Sequence, residues 1–423
     1  MKFYIYTLGC KVNAYESNVM KDKLINSGYV ESDGKDADIY IINTCTVTNT
    51  SDNKSLKTIR KVSREHKNSV IVVVGCMSQV NYELLDNLNV SIILGNSGKS
   101  KIVDYIEKYK KNKTKIIDVE DISKKKFEDM CLNNFDKTRA FVKIEDGCEN
   151  FCSYCIIPYA RGKVRSKDPS VVIDEIKKLV SEGHKEVVLT GIHTGHYGSD
   201  LDNYNFSKLL NEIEKIEGLK RLRISSIEVT ELDNEFMKFL KNSKILVDHM
   251  HIPLQSGSDN ILKLMNRKYD KQYFIDKIEH IRKIRPSNSI TTDIIVGFPG
   301  ETEELFEETL ETVKKIKFSK IHVFPFSLRK GTKAEELPDH IDDVTKKRRV
   351  KKLLDLNKEL ELEYFNKYLN KDVEFLPEVY KDGYVIGHTG NYLLVKTIGN
   401  VNDLNILKKV KIEKVEYPYC IGK

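Results

Sequence analysis

The sequence predicts an α/β protein in three parts: an N-terminal parallel-sheet α/β domain, a central partial (β/α)6 barrel and a small C-terminal β-barrel. Three patterns carry that expectation. Short β-branched runs alternate with amphipathic helical stretches through the first hundred residues, as in a parallel sheet covered on both faces. A second βα series from residue 138 yields six units over about two hundred residues, short of the eight units and about 250 residues of a complete barrel. Beyond residue 370, short strand-like runs are punctuated by Gly and Asn, the rhythm of a small barrel.

Each element follows from local pattern. "FYIYT" (3–7) leads into a helix reaching about residue 27, "DIYIIN" (38–43) into a helix over 51–66, and "SVIVVV" (69–74) into one near 80–87. "VSIIL" (90–94) precedes a helix ending near 109, and the polar stretch after it reads as a linker. The expected divisions are therefore 1–112, a linker over 113–137, and the partial barrel over 138–343. Barrel strands are read at 139–146, 186–191, 221–226, 249–254, 289–298 and 319–326. A charged connecting helix spans 344–369, and the tail over 370–423 shows strand runs at 373–380, 383–389, 391–397 and 408–417.

Composition narrows the function. The chain has 423 residues, 40% apolar and 31% charged, with a net charge of +7. That modest excess of Lys and Arg permits a nucleic-acid partner without requiring one. No run approaches the roughly 20 apolar residues of a membrane span, and no secretory pattern opens the chain. A cytoplasmic protein is expected, whose eight cysteines are reduced thiols suited to metal or redox ligation rather than to disulfides.

"GCENFCSYCIIPYARG" holds Cys148, Cys152 and Cys155 in a C-x3-C-x2-C triplet just after a strand. Three thiolates in so tight a loop suit an iron–sulfur cluster with one iron left open; a zinc site would want a fourth ligand that the stretch lacks. Cys10, Cys45 and Cys76 each follow a predicted parallel strand, 35 and 31 positions apart. Carboxyl ends of parallel strands share one sheet edge, so these loops bring three more thiols together. Taken singly, each is as well explained as a small buried apolar residue.

The triplet in the first barrel loop resembles the radical S-adenosylmethionine (SAM) enzymes. "TLGCKVNAYES", "NTCTVTNTSDNKS" and "VVVGCMSQ", with "EDGCENFCSYCIIPYARGKVRS", "LTGIHTGHYG", "RISSIE", "HIPLQSGSDNILKLMNRKY" and "TTDIIVGFPGETEE", resemble the methylthiotransferases over nearly the whole chain. "LGCKVNAYE", "NTCTVTN", "IIPYARG" and "SKIHVFPFSLRKGT" are most similar to the branch acting on N6-threonylcarbamoyladenosine in tRNA. Ala14 and the pair Met77 and Ser78 depart from that branch's pattern.

The resemblance implies a radical SAM barrel and two [4Fe–4S] clusters, one on Cys148, Cys152 and Cys155, the other on Cys10, Cys45 and Cys76. It implies SAM as both radical source and methyl donor, and methylthiolation of C2 of the adenosine at anticodon-loop position 37. It further implies a tRNA substrate, an external electron donor such as flavodoxin or ferredoxin, an unidentified sulfur source, and a monomer. The tail "KDGYVIGHTGNYLLVK" resembles the family's TRAM-like RNA-binding barrel. Matching cofactor positions are Tyr154, Thr190, Gly191, Ser225, Ser226, Glu228, Gln255 and Asp293, although Ser, Asp and Gly also suit ordinary loop turns. Arg161 is a candidate for RNA phosphate, cofactor carboxylate or a local acid. Arg348 and Arg349, in the run "TKKRRVKK", are either phosphate contacts or a solvated face. Tyr384, His388 and Tyr392 are candidates for stacking on bases, or for core packing. Cys131 and Cys420 take no role. The competing readings are an isopentenyladenosine-directed relative, an iron–sulfur electron carrier, and an RNA-binding protein with structural clusters.

Overall fold

The computed structural model describes residues 1–132 and 135–423; of the stretch read as a linker, 133 and 134 lie outside the described residues. Six parallel strands form the first sheet: β1 (Lys2–Thr7), β2 (Val30–Glu31), β3 (Ile39–Thr44), β4 (Val70–Gly75), β5 (Ile92–Leu94) and β6 (Ile116–Asp118). Their order is β2-β1-β3-β4-β5-β6. β3 and β4 are buried at every position, because helices cover both faces. Ile39, Ile41, Val72 and Val74 meet Met20, Leu24, Ile102 and Ile106 on one face. Tyr40, Ile42, Ile71 and Val73 meet Ile59, Val62 and Met77 on the other, the period-2 alternation of a strand. The sheet runs past the expected boundary at 112, since β6 pairs with β5. The helix expected near 80–87 starts earlier, as Cys76–Asn81 followed by a 3-10 turn over Tyr82–Leu85.

The central unit comprises β7 (Arg139–Lys143), the short antiparallel pair β8 (Glu145–Asp146) and β9 (Arg165–Ser166), then β10 (Glu186–Thr190), β11 (Arg221–Ile224), β12 (His249–His251), β13 (Ser289–Val296) and β14 (Lys320–Pro325). Parallel pairing runs β11-β10-β7 and β12-β13-β14, and a parallel bridge between Leu222 and Leu246 joins the two groups. Six parallel strands thus curve into an open barrel. The helices between them begin on capping residues visible in the sequence: Asp168 before Pro169, Asp233, Asp270 and Thr302 each accept from backbone N–H groups of the first turn, satisfying donors a helix cannot pair internally. On the open side, the helix Lys11–Asn26 lies against β7. Its buried Tyr15 donates to Met130 O at 2.7 Å and Glu175 Oε1 at 2.8 Å, fastening the first domain to the second.

After the helix Asp343–Asn366 comes a closed barrel of β15 (Asp372–Lys381), β16 (Tyr384–Thr389), β17 (Leu394–Ile398), β18 (Lys408–Glu416) and β19 (Tyr419–Gly422). β19 is the strand the sequence pattern did not mark. Cys420 lies on it, buried among Phe375, Val385 and Val395, and so is core filling. Gly387 is required where β15 and β16 cross: a Cβ there would sit 1.8 Å from Leu376 O. Among the described residues, no helix is long and apolar enough to cross a membrane.

Candidate active site

Three loops at one edge of the first sheet carry the single cysteines. Cys10 follows β1 and caps the helix Lys11–Asn26, Cys45 follows β3, and Cys76 follows β4. Those strands are neighbours, so their loops emerge side by side. Gly9 has φ +97°, and a Cβ on it would fall 2.7 Å from Cys45 Cβ and 2.9 Å from Cys45 Sγ; only glycine lets these two loops touch. Asn13 ties them further, donating to Leu8 O at 2.7 Å and Thr44 O at 2.9 Å. None of the three thiols is in a disulfide. Burial, reinforced by Cys76, pushes the Cys45 thiol up to about 11.

Behind Cys76 lies a buried charge network. Arg161 has no exposed surface. Its Nε donates to Cys76 Sγ at 3.3 Å, its Nη1 to Glu16 Oε1 at 2.7 Å and to Asp146 at 3.2 Å, and its Nη2 to Asn13 Oδ1 at 2.8 Å. Asn96 Nδ2 donates to the same sulfur at 3.4 Å. Lys99 pairs with Glu16 at 2.5 Å, Lys143 with Glu16 at 2.8 Å and Asp146 at 2.6 Å, and Arg165 with Asp146 at 3.6 Å. Burial alone would raise the Glu16 carboxyl, yet Arg161, Lys143 and Lys99 hold it well below the usual carboxylate range. Four cations face two carboxylates, and two N–H donors aim at one sulfur. That environment fits a thiolate carried by an anionic cluster better than a neutral thiol. Arg161 therefore meets local acids: a guanidinium this enclosed is out of reach of RNA phosphate.

The second trio sits in the loop after β8. A Cβ at Gly147 (φ +93°) would fall 1.9 Å from Lys163 O, so glycine permits the tight entry. Cys148 N donates to Gly162 O at 3.0 Å and Cys155 N to Cys152 O at 2.9 Å. Ser153 anchors the loop to Met265 O at 3.0 Å and Leu264 O at 2.8 Å. Burial pushes the Cys155 thiol up to about 12, with Cys152 adding to it, and also raises Cys148. Arg267 Nη1 donates to Cys152 Sγ at 3.2 Å, and Glu228 accepts from the same guanidinium. Arg267 lies within a quoted motif, but no local signal marks its role, since 115 positions separate it from Cys152.

Two cavities meet at Asp293 and Phe324. The mouth cavity, about 190 Å³, is lined by Val47 and Thr48 just after Cys45, by Tyr154 from the other cysteine loop, and by Gln255. The deeper one, about 280 Å³, is lined by Lys11, Arg139, Arg223, Ser225, His249 and Tyr392 among others. Of the expected cofactor positions, Tyr154, Gln255 and Asp293 line the first and Ser225 and Asp293 the second. Thr190, Gly191, Ser226 and Glu228 line neither. Gly191 is held against Glu145, whose Oε2 would lie 2.6 Å from an added Cβ. Asp293 Oδ2 lies 3.3 Å from His251 Nε2.

The residues expected to meet RNA divide. Arg348 is exposed but forked onto Glu303 at 2.7 and 2.8 Å, and Arg349 is buried on Glu301 at 2.8 Å. Both bind the helix Asp343–Asn366 to the start of the helix Glu303–Ile316, Arg349 reaching Glu303 as well at 3.3 Å, so Arg349 in particular is closed to phosphate. Tyr384 is partly exposed on the small barrel, with Lys396 Nζ 4.2 Å above its ring. His388 is bonded to Glu378 at 2.7 Å and stacks on Tyr392 at 4.6 Å; the Tyr392 ring also stacks on His249 at 4.4 Å. His388 and Tyr392 thus close the floor of the large barrel rather than presenting free rings.

Residues 142–313 match the Radical SAM superfamily, and residues 2–95 match an uncharacterized protein family, UPF0004. Threonylcarbamoyladenosine tRNA methylthiotransferase MtaB of Bacillus subtilis is 44% identical, covering 99% of this chain and 95% of its own length. The protein of that name from Aquifex aeolicus is 39% identical over 94% of this chain and 97% of its own. A tRNA-2-methylthio-N(6)-dimethylallyladenosine synthase from Clostridium botulinum is 35% identical over 98% and 94%. Among solved structures, the radical SAM methyltransferase TsrM of Kitasatospora setae matches with a TM-score of 0.56 at 14% identity, over 76% of this chain and 72% of its own, a likeness of fold alone. The open barrel, the two cysteine trios and the end-to-end similarity lead to one conclusion: this chain belongs to the radical SAM methylthiotransferases, in the branch of the threonylcarbamoyladenosine tRNA enzymes.

Proposed function

We propose that this enzyme methylthiolates C2 of N6-threonylcarbamoyladenosine at anticodon-loop position 37 of tRNA, giving 2-methylthio-N6-threonylcarbamoyladenosine. One observation carries the reading: segments adjoining both cysteine trios line a single mouth cavity, which opens into a deeper, cation-lined one. Cys148, Cys152 and Cys155 would hold one [4Fe–4S] cluster and Cys10, Cys45 and Cys76 the other, with SAM at the mouth beside Tyr154, Gln255 and Asp293. When bound, these groups supply one-electron reduction, a radical able to take hydrogen from an aromatic carbon, and the sulfur and methyl of the product. An aromatic C–H offers no acid, base or leaving group, so the protein's part is to bind, orient and exclude water.

Arg161 and Asn96 stabilise negative charge on Cys76, and Arg267, held by Glu228, does so on Cys152. Tyr154 meets Phe298 edge-on at 6.5 Å and gives the mouth an apolar wall. Exposed Phe151 and Tyr159, with centroids 6.1 Å apart, together with Tyr384, are surfaces on which loop bases can stack. The reading includes a cytoplasmic monomer supplied with electrons by a flavodoxin- or ferredoxin-like donor.

Mass spectrometry of tRNA nucleosides from a strain lacking the gene tests it. The threonylcarbamoyl product is expected to disappear while its isopentenyl counterpart persists; the reverse pattern refutes the substrate.

A further inference from the structure

The deeper cavity has a charge pattern that its architecture does not use up. Arg139 opens β7 and His249 opens β12, so both stand at the barrel floor, where Tyr392 of the small barrel is inserted. Arg139 and Arg223 lie 5.7 and 5.0 Å from the Tyr392 ring centre. Part of this is docking: Arg139 pairs with Glu378 at 2.9 Å, and Arg223 Nε with Glu186 at 2.7 Å. Docking does not use every donor. Arg223 is 2% exposed, yet its Nη1 has no hydrogen-bond partner. Lys11, an exposed residue that lines the cavity from the open side of the barrel, has no carboxylate at ion-pair distance among the described residues. Asp293, the carboxylate that lines this cavity, already faces His251 at 3.3 Å.

We propose that Arg223, with Lys11 and Arg139, forms a carboxylate-binding floor that selects a nucleobase whose N6 substituent ends in a carboxylate. The inference rests on the threonylcarbamoyladenosine reading and assigns its specificity. C2 and the N6 substituent leave the adenine ring at different positions, so a group that reads the substituent lies apart from the reacting carbon. A buried carboxylate is tolerated only where cations pair with it. A dimethylallyl substituent would leave Arg223 Nη1 stranded, the arrangement in which discrimination is steepest. The same three cations act on Tyr392. Burial pushes its hydroxyl up, but Arg139, Lys11 and Arg223 outweigh that and leave it below its ordinary range.

The test uses reconstituted holoenzyme and three anticodon stem-loop RNAs identical except at position 37. These carry the threonylcarbamoyl group, its carboxamide in place of the carboxylate, or the dimethylallyl group, and binding is read by fluorescence anisotropy. The wild type is expected to prefer the carboxylate over the carboxamide by about 10- to 100-fold, the range of a charge-assisted hydrogen bond. Arg223→Gln and Lys11→Met should each shrink that ratio to about 3-fold or less, because the carboxylate RNA loses more affinity than the carboxamide RNA, whose carbonyl accepts only a weaker hydrogen bond. Iron content and circular dichroism verify that Arg223→Gln is folded; if it is not, Lys11→Met decides. Retention of the full preference by the folded variants, or an equal loss for all three RNAs, overturns the floor while sparing the proposed substrate. A wild type that prefers the dimethylallyl RNA overturns both.

Discussion

Replacing Arg161 with methionine probes the junction between the two cysteine trios. The side chain is fully buried, and its loss removes contacts to Glu16, Asp146, Asn13 and Cys76 together. Removing one partner of a buried pair costs about 3–5 kcal/mol. Glu16 keeps Lys99 and Lys143, and Asp146 keeps Lys143 and Arg165, so neither carboxylate is stranded and the lower end, about 3 kcal/mol, is expected. A chain of three packed units does not unfold in two states, so the loss should be read locally. Hydrogen exchange in the helix Lys11–Asn26, which carries Asn13 and Glu16, should accelerate by about 100-fold for amides that exchange by local opening. Arg161→Lys, which keeps the charge but loses the fork and the Nε donor, should show a smaller change. Unaltered exchange in Lys11–Asn26 upon Arg161→Met, or loosening confined to Ile157–Arg161, would refute the junction.

Two further outcomes are expected. Cys10→Ala should abolish sulfur insertion while leaving SAM cleavage at the other cluster largely intact; methylthiolated tRNA from this variant would disprove the ligand role. Burial pushes the Glu301 carboxyl up to about 7, against the Gly297 amide and Arg349. The folded chain therefore binds a proton that the unfolded chain has already released. The stabilisation is complete below pH 4.5 and lost as pH rises through about 7, a swing of about 3 kcal/mol at most. Hydrogen-exchange protection of the helix Glu303–Ile316, corrected for intrinsic rates and followed between pH 5 and 8, should decline less steeply in Glu301→Gln than in wild type, and parallel declines would refute it.

Much of the framework could be read locally. Apolar β-branched runs such as 39–42 and 70–74 are continuous because those strands are covered on both faces, and the pattern announces that burial. The Cys148, Cys152 and Cys155 triplet is compact in sequence and hence in space. The short strands β6 and β19 are not legible in the sequence, because three or four residues carry too little pattern and pairing with a neighbour defines them.

The cysteine positions, by contrast, needed only a topological rule to be grouped. Parallel strands deliver their carboxyl ends to one edge, so Cys10, Cys45 and Cys76 were bound to gather once the strands were recognised. The partners of those cysteines were decided by tertiary structure alone. Arg161 lies 85 positions from Cys76 and 145 from Glu16, and Arg267 lies 115 from Cys152. Tyr392, readable from sequence as a base-stacking ring, is instead the plug of the barrel, packed on His249 and Arg223, which both lie more than a hundred positions away. Backbone pattern is local chemistry and survives in the sequence. Which charge faces which sulfur depends on how separate units dock, and no local pattern records it.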